Sequence, residues 1–385
     1  MTNNHQESKL WLETPLILST HLSELLSCNV YLKLENLQPS QSFKYRGLSL
    51  FAQHCKETRG DSVHLIMASG GNAGLATACA ANRLNLRCTV YLPGGTSQYM
   101  IDRLRKEKAE VIVVGEYYFQ AAQEARRAVT LDANAVYVHG YEGDVLWRGH
   151  GSMITEISCA LPEKPSAIFC SVGGGGLLGG IINGCKSVGW DDVPIVAAET
   201  HGSAAFYHSV SVNDNQWGAS SPLPDGTSVT HDEEQNIQVA NIQITSKATS
   251  LAATTPSPQV VRDALMRKGG IICATIPDEM AMSTTCLFAE DHKILAELAC
   301  STTLAFAYHP DLFHRLLQTY IVRGNVDSEK RRNVVFVVCG GVKISTDEVY
   351  AYETIIRGIL QGGQQTWNVF CNGESWDIKV RPLNQ

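Results

Sequence analysis

A chain of 385 residues, 44% hydrophobic and 18% charged, has the apolar content to bury sizeable cores in about two domains, which excludes a disordered or fibrous protein. A net charge of −7 without any clustered Lys/Arg block argues against a nucleic-acid partner, because binding a phosphate backbone needs concentrated positive charge. The 12 cysteines are scattered, without Cys-x-x-Cys pairs or Cys/His spacing, so neither a zinc centre nor a disulfide framework is expected, and reduced thiols in a cytoplasmic setting fit best.

From the N-terminus, Met1 to Thr14 lacks the apolar core of a signal peptide. Short β-branched runs then alternate with helical patterns. Val30 to Lys33, Leu65 to Ala68, Thr89 to Leu92, Val111 to Val114 and Ala135 to Val138 read as strands, with helices over Ala73 to Leu84, Gln98 to Lys108 and Phe119 to Leu131 between them. Ala167 to Cys170, Ile195 to Ala198 and Val334 to Val337 continue the strand series. This alternation predicts an α/β protein with two domains, each an open, mostly parallel sheet flanked by helices. The uncharged stretch Pro165 to Cys185 is long enough to cross a bilayer, but its glycines, Ser171 and Asn183 predict a strand, a loop and a helix start instead, so no membrane contact is expected. Val212 to Asn241, rich in Asn, Ser, Pro, Asp, Gly and Gln, predicts a long surface loop, either a tolerated insertion or a lid. After Ser345 a helix over Asp347 to Leu360 and a short tail remain, too little for a regulatory domain.

Three segments carry chemistry. Lys44 lies in Ser42-Phe43-Lys44-Tyr45-Arg46-Gly47, where aromatic neighbours can desolvate an amine and keep it available as a nucleophile; an isolated lysine is more often solvated. Ser69-Gly70-Gly71-Asn72-Ala73-Gly74 follows a strand and opens a helix. Its amides, the Ser69 hydroxyl and the Asn72 side chain make an anion site suited to a substrate carboxylate, or else Ser69 and Asn72 are simply N-caps. Gly173-Gly174-Gly175-Gly176, followed by Leu177, brings a backbone without Cβ atoms to a helix start, which suits a phosphate; the alternative is a tight strand-to-helix turn. Neither Rossmann nor Walker spacing is present. A lysine, a polar turn and a bare-glycine turn are together the parts that hold a phosphorylated aldehyde, pyridoxal 5'-phosphate.

The set resembles the tryptophan-synthase-β-like, or fold type II, family of pyridoxal phosphate enzymes, and within it the serine/threonine dehydratases, from about Leu12 to Ser345 apart from the loop. The resemblance implies that Lys44 carries the cofactor, Phe43 lies against its ring, Asn72 reaches the ring hydroxyl, and Gly173 to Gly176 with Leu177 hold the phosphate. It makes Lys44 and Ser69 the catalytic residues, and Ser69, Gly70, Asn72 and Ala73 the substrate-binding ones. Cys339-Gly340-Gly341 after the last strand resembles the serine dehydratase branch, in which a cysteine faces the pyridine nitrogen; in isolation Cys339 reads as a buried core thiol. Glu199 matches an acidic residue that helps hold a monovalent cation, K+, in several members, though a hydrogen-bonded carboxylate reads nearly as well. Trp147-Arg148-Gly149-His150 and Lys293-Ile294-Leu295-Ala296-Glu297 resemble further family segments, the latter an Ile-Leu-x-Glu-Pro strand.

Some residues depart from the pattern. Leu298 stands for the usual proline, Ser301 for glycine and Lys343 for the commoner asparagine, while Gly70 is alanine in the more active serine dehydratases. The expected organisation is a small α/β domain over 45–147 and a large cofactor-binding domain from 1–44 and 148–385, with the cofactor between them. The expected activity is β-elimination from L-serine, and from L-threonine, giving pyruvate or 2-oxobutanoate and ammonia, in a homodimer. Another β-elimination, β-replacement or racemisation on the same scaffold, or a non-catalytic relative, are the alternatives.

Overall fold

The structure, a computed structural model, describes residues 9–214, 217, 223–321 and 331–383. In chain order its strands are β1 (Leu16–Leu18), β2 (Asn29–Leu34), β3 (His64–Ala68), β4 (Arg87–Leu92), β5 (Glu110–Val113), β6 (Ala135–Tyr137), β7 (Ala167–Ser171), β8 (Ile195–Thr200), β9 (Ser228–Asp232), β10 (Ile237–Asn241), β11 (Ile271–Ile276), β12 (Asn333–Val338), β13 (Thr366–Cys371) and β14 (Glu374–Lys379). The helices are α1 (Thr20–Leu26), α2 (Lys44–Arg59), α3 (Asn72–Leu84), α4 (Gln98–Lys106), α5 (Tyr118–Leu131), α6 (Asp144–Ala160), α7 (Gly176–Ser187), α8 (Ala205–Ser211), α9 (Pro258–Met266), α10 (Asp278–His292), α11 (Leu298–Tyr308), α12 (Pro310–Leu316) and α13 (Thr346–Gln361).

Strands β5-β4-β3-β6 form an all-parallel sheet. The larger sheet runs β1-β2-β12-β7-β8-β11-β13-β14, with a parallel centre from β2 to β11 and antiparallel edges. The chain thus leaves the larger sheet after β2, builds the smaller one, and returns through α6 to β7. The central strands are continuous apolar runs because helices cover both faces. Phe169 of β7 stacks on Phe336 of β12 with ring centroids 4.2 Å apart, and Phe306 and Phe313 pack onto the same ring.

Glycines let three helices approach closely. A Cβ at Gly47 in α2 would lie 2.5 Å from the Leu146 carbonyl oxygen of α6, and one at Gly180 in α7 would lie 2.3 Å from His150 Cβ of α6. No side chain fits there, so α6 holds the start of α2 beside the start of α7. The contact is reinforced by buried charge: Arg46 in α2 donates from Nε to Glu35 at 2.6 Å and from Nη2 to Glu156 of α6 at 2.6 Å, while Lys33 Nζ pairs with Glu156. Two cations and two anions satisfy one another, which makes their burial tolerable.

The predicted loop over 212–241 is corrected in part. Residues 215–216 and 218–222 of it lie outside the described residues, but β9 and β10 form an antiparallel hairpin in its second half. Ile237, Val239 and Ala240 of β10 are buried beside α8, while β9 is exposed, so only one short strand carries an apolar signal. Lys293 to Glu297 is also not a strand; it is a connector that ends as the residue before α11. Strands β13 and β14 form a hairpin through Asn372 (φ +44°) and Gly373 (φ +83°), a turn in which both central residues need positive φ.

Candidate functional site

Both sheets present the carboxyl ends of their strands to a cleft of about 1190 Å³. Loops after β3, β7 and β12, together with the start of α2, supply its walls, as open parallel sheets do for a ligand. Phe43, Lys44, Ser69, Gly70, Asn72, Ala73, the glycines 173–176, Leu177 and Cys339 all line this one cleft. Glu199 does not.

Lys44 is the first residue of α2. Its Nζ donates to the Gly140 carbonyl oxygen at 2.5 Å and lies 5.2 Å from the Phe43 ring centroid. Enclosure of the ammonium lowers the pKa to about 8. Behind Phe43, at 4.9 Å between centroids, sits His150, which burial and the neighbouring cations of Lys44 and Arg46 keep well below the usual imidazole range. It is a neutral packing group whose Nδ1 accepts from the Gly47 amide at 3.2 Å.

Asn72 heads α3 and its side chain is anchored through both the amide nitrogen and the amide oxygen. Its Nδ2 donates to Glu297 Oε1 at 3.1 Å and Oε2 at 3.2 Å, and its Oδ1 accepts from the Val342 amide at 3.1 Å. Glu297 is buried and also accepts from Ser250 Oγ at 2.6 Å and from the Lys343 amide at 2.5 Å. Ser69 lies beside it, its Oγ accepting from the Gly71 amide at 3.4 Å.

The glycine turn has the features of a phosphate cradle. Among the described residues no hydrogen-bond acceptor faces the amides of Gly173, Gly174 or Gly175, and Gly175 (φ +96°) turns the chain into the 12-residue helix α7. Unpaired amides at a helix start bind anions. The space a Cβ would take at Gly174 is filled by the Tyr141 ring, 2.6 Å from the Cβ position, and at Gly173 by the Leu251 backbone at 2.9 Å. The glycines are therefore needed by the packing behind them as well as by a ligand in front. Cys339, at the end of β12, has its Sγ 3.7 Å from Ser171 Oγ. Hydrogen bonding to the Cys300 thiol, and then burial, raise the Cys339 pKa well above the thiol range, so it is neutral.

Glu199 stands apart, buried at the end of β8. Both its oxygens are taken by backbone amides of α8, Phe206 N at 3.0 Å and Tyr207 N at 2.6 Å, and burial pushes its pKa well above the carboxylate range. Among the described residues no group of three or more His, Cys, Asp and Glu side chains is disposed to hold a metal ion. No helix among them is long and apolar enough to cross a membrane.

Gly140, Tyr141 and Ser250 were not visible as site residues in the sequence. Gly140 and Tyr141 follow β6 without a recognisable motif, and Ser250 is a serine in a polar connector. Glu297 had a local signal in its Ile-Leu-x-Glu segment, but its meeting with Asn72 is a tertiary event.

An enclosed lysine of lowered pKa, a cradle of free amides at a helix start, and a polar turn between them fit a phosphorylated aldehyde, and they define a pyridoxal phosphate site on a fold type II scaffold. The chain belongs to the family described as pyridoxal-phosphate dependent enzyme, whose model matches residues 8–340. It is 36% identical over 347 residues to the mouse (Mus musculus) L-serine dehydratase/L-threonine deaminase, covering 90% of this chain and 95% of the relative. The human (Homo sapiens) protein named serine dehydratase-like is 35% identical over 341 residues, covering 89% and 93%. The crystal structure of a fungal L-serine ammonia-lyase from Rhizomucor miehei superposes with a TM-score of 0.76 at 30% identity, over 90% of this chain and 99% of that one.

Proposed function

We propose that this protein is an L-serine and L-threonine dehydratase, releasing pyruvate or 2-oxobutanoate and ammonia by β-elimination. The observation that carries the reading is a single cleft gathering Lys44, the Ser69 to Ala73 turn, the glycine turn and Cys339 in a chain similar over nine-tenths of its length to enzymes so named.

The bound cofactor supplies an electron sink for the bond broken at the substrate's Cα. The chain's own groups do the rest. Lys44 would anchor the cofactor and its amine would take the α-proton; a pKa near 8 leaves that amine able to accept and return a proton at neutral pH. Ser69 and the amides of residues 70–73 hold the substrate carboxylate at the start of α3. Amides of Gly173 to Gly176 and Leu177 would hold the phosphate, Phe43 would pack against the ring, and Asn72, kept in place by Glu297, would reach the ring hydroxyl. Cys339, a neutral thiol at the end of β12, would lie toward the ring nitrogen, and a thiol there would not force a proton onto it, which would favour loss of the β-hydroxyl over reprotonation.

The reading includes a homodimer in the cytoplasm, consistent with 12 free thiols. It attaches K+ to the neighbourhood of Glu199, where carbonyl oxygens would have to provide most of the ligands because the carboxylate already caps α8. The test is a screen of L-serine, D-serine, L-threonine and O-acetyl-L-serine that scores 2-oxo acid, ammonia and enantiomer, with and without K+. Equimolar pyruvate and ammonia from L-serine, lost in Lys44→Ala, is the expected result. Interconversion of L- and D-serine without pyruvate would replace the reading with racemisation.

A further inference from the structure

The charged groups lining the cleft are unbalanced. Lys44, Arg126, Lys247 and Lys343 face Glu297 and Glu348 in a chain whose net charge is −7. Glu297 is already committed to Asn72, Ser250 and the Lys343 backbone amide. That last bond fixes the Lys343 main chain and aims its side chain over the turn after β3. The stem lies against Gly71, where a Cβ would sit 3.1 Å from Lys343 Cε and 3.3 Å from Nζ. The ammonium donates only to the Thr249 hydroxyl, at 3.3 Å, and forms no ion pair among the described residues. An ammonium held in a cleft by one neutral acceptor can still accommodate an anion.

We infer that Lys343 recognises a second carboxylate, carried on the β-carbon of the substrate, so that the cleft accepts β-hydroxy dicarboxylic amino acids alongside L-serine. The inference rests on the dehydratase reading, because it takes the turn at residues 69–73 as the seat of the α-carboxylate. Ser69 and the turn's own amides serve the α-carboxylate there, which leaves the Lys343 ammonium, 3.3 Å from the Cβ position at Gly71, for a second anion on the same substrate. One compact ammonium matches the single charge of a carboxylate; a phosphate dianion would call for more donors. The reaction needs no oxidant. The Cα–H and Cβ–O bonds break, water leaves, and hydrolysis of the resulting enamine returns a water, so a 3-hydroxyaspartate gives a four-carbon 2-oxo dicarboxylate and ammonia.

The experiment uses the holoenzyme with L-aspartate and L-alanine, which have no β-hydroxyl to lose, and follows binding through the absorbance of the bound cofactor. Lys343→Met should lower the ratio of aspartate to alanine affinity roughly ten- to hundred-fold, and Lys343→Arg should restore most of it. In parallel, kcat/KM for L-threo-3-hydroxyaspartate relative to L-serine should fall by a similar factor in Lys343→Met. An unchanged ratio overturns the inference. So does a fall for both ligands in step, which would put the lysine on the α-carboxylate, or a parental preference for O-phospho-L-serine, which would make the recognised group a phosphate. Turnover of L-serine with an unchanged ratio sinks the inference alone. A ratio that falls as expected, with no 2-oxo acid from either hydroxy amino acid, sinks the dehydratase reading and leaves the role of Lys343 standing.

Discussion

Asn72 and Glu297, separated by 225 positions in the chain, meet across the cleft with the Asn72 amide donating to both carboxylate oxygens at 3.1 and 3.2 Å. Asn72 heads the first helix of the smaller sheet's layer and Glu297 precedes α11 against the larger sheet, so one polar contact joins the two walls. Asn72→Asp would set carboxylate against carboxylate at hydrogen-bond range, where like charges repel. The variant should release cofactor more readily, with Kd weakened by roughly tenfold, a cost of about 1.4 kcal/mol. Equilibrium dialysis against the cofactor measures this. Parental affinity in Asn72→Asp would mean that the contact has no part in holding the cleft for its ligand.

The second prediction concerns protonation of Lys44. Burial favours the neutral amine and lowers the pKa to about 8, against about 10.4 for an ordinary lysine. The folded apoprotein therefore binds fewer protons than the unfolded chain between these values. It carries the cost of a buried charge below about pH 8, and stability from this group rises as pH rises from about 8 to 10.4. Because only the neutral amine attacks an aldehyde, cofactor loading should accelerate with pH through a midpoint near 8 and then level off. Rapid mixing with absorbance detection reads the midpoint, and borohydride reduction should then fix the label to the peptide containing Lys44. A midpoint near 10, or label on another lysine, would remove Lys44 from the role.

The parallel strands were legible because they are buried on both faces. Leu65 to Ala68, Ile195 to Ala198 and Val334 to Val337 are apolar runs with no solvent side, and all three are central strands. Strand β11, Ile271–Ile276, is equally buried, but Cys273, Ala274 and Thr275 dilute its β-branched character. The edge strands β13 and β14 alternate in and out, and their Asn-Gly turn is a local hairpin signal. In the site, Lys44, Asn72, the glycines and Cys339 each follow or open an element, which gives them a local signature. Tyr141 and Ser250 matter through what the fold brings to them, and no spacing along the chain encodes that.

The third prediction addresses the buried charges beside Lys44. Burial pushes the Glu156 carboxyl up, but the hydrogen bonds and charges of Arg46 and Lys33 outweigh it and hold its pKa below the usual carboxylate range. Burial lowers the Lys33 pKa, and the hydrogen bond and charge of Glu156 oppose that shift. Glu156→Gln would leave two buried cations sharing Glu35, and breaking such a pair costs about 3 kcal/mol or more. Urea denaturation should show a fall of that size. Because Arg46 lies two residues after Lys44, the remaining folded protein should also lose cofactor more readily. A variant as stable as the parent would show that water or Thr14 takes over from the carboxylate.

The last prediction concerns Cys339 and the fate of the substrate once its α-proton is gone. The thiol ends β12, lies 3.7 Å from Ser171 Oγ and is held neutral by its Cys300 partner and by burial. A neutral group facing the ring nitrogen does not force a proton onto it. Cys339→Ser replaces one weak partner with another, so the ratio of products should stay the same. Cys339→Asp introduces an acceptor that draws a proton to the nitrogen, delocalises the negative charge left at Cα more fully, and slows expulsion of the hydroxyl relative to reprotonation. The 2-oxo acid should then fall against D-serine or transamination product when L-serine is supplied. The carboxylate would sit near Glu297, and an unpaired buried charge can by itself empty the site, so the comparison is made per cofactor bound, measured by absorbance. Chiral analysis of recovered serine together with pyruvate release gives the partition. If loaded Cys339→Asp divides L-serine between products as the parent does, the thiol is a packing residue and reaction choice is set elsewhere in the cleft.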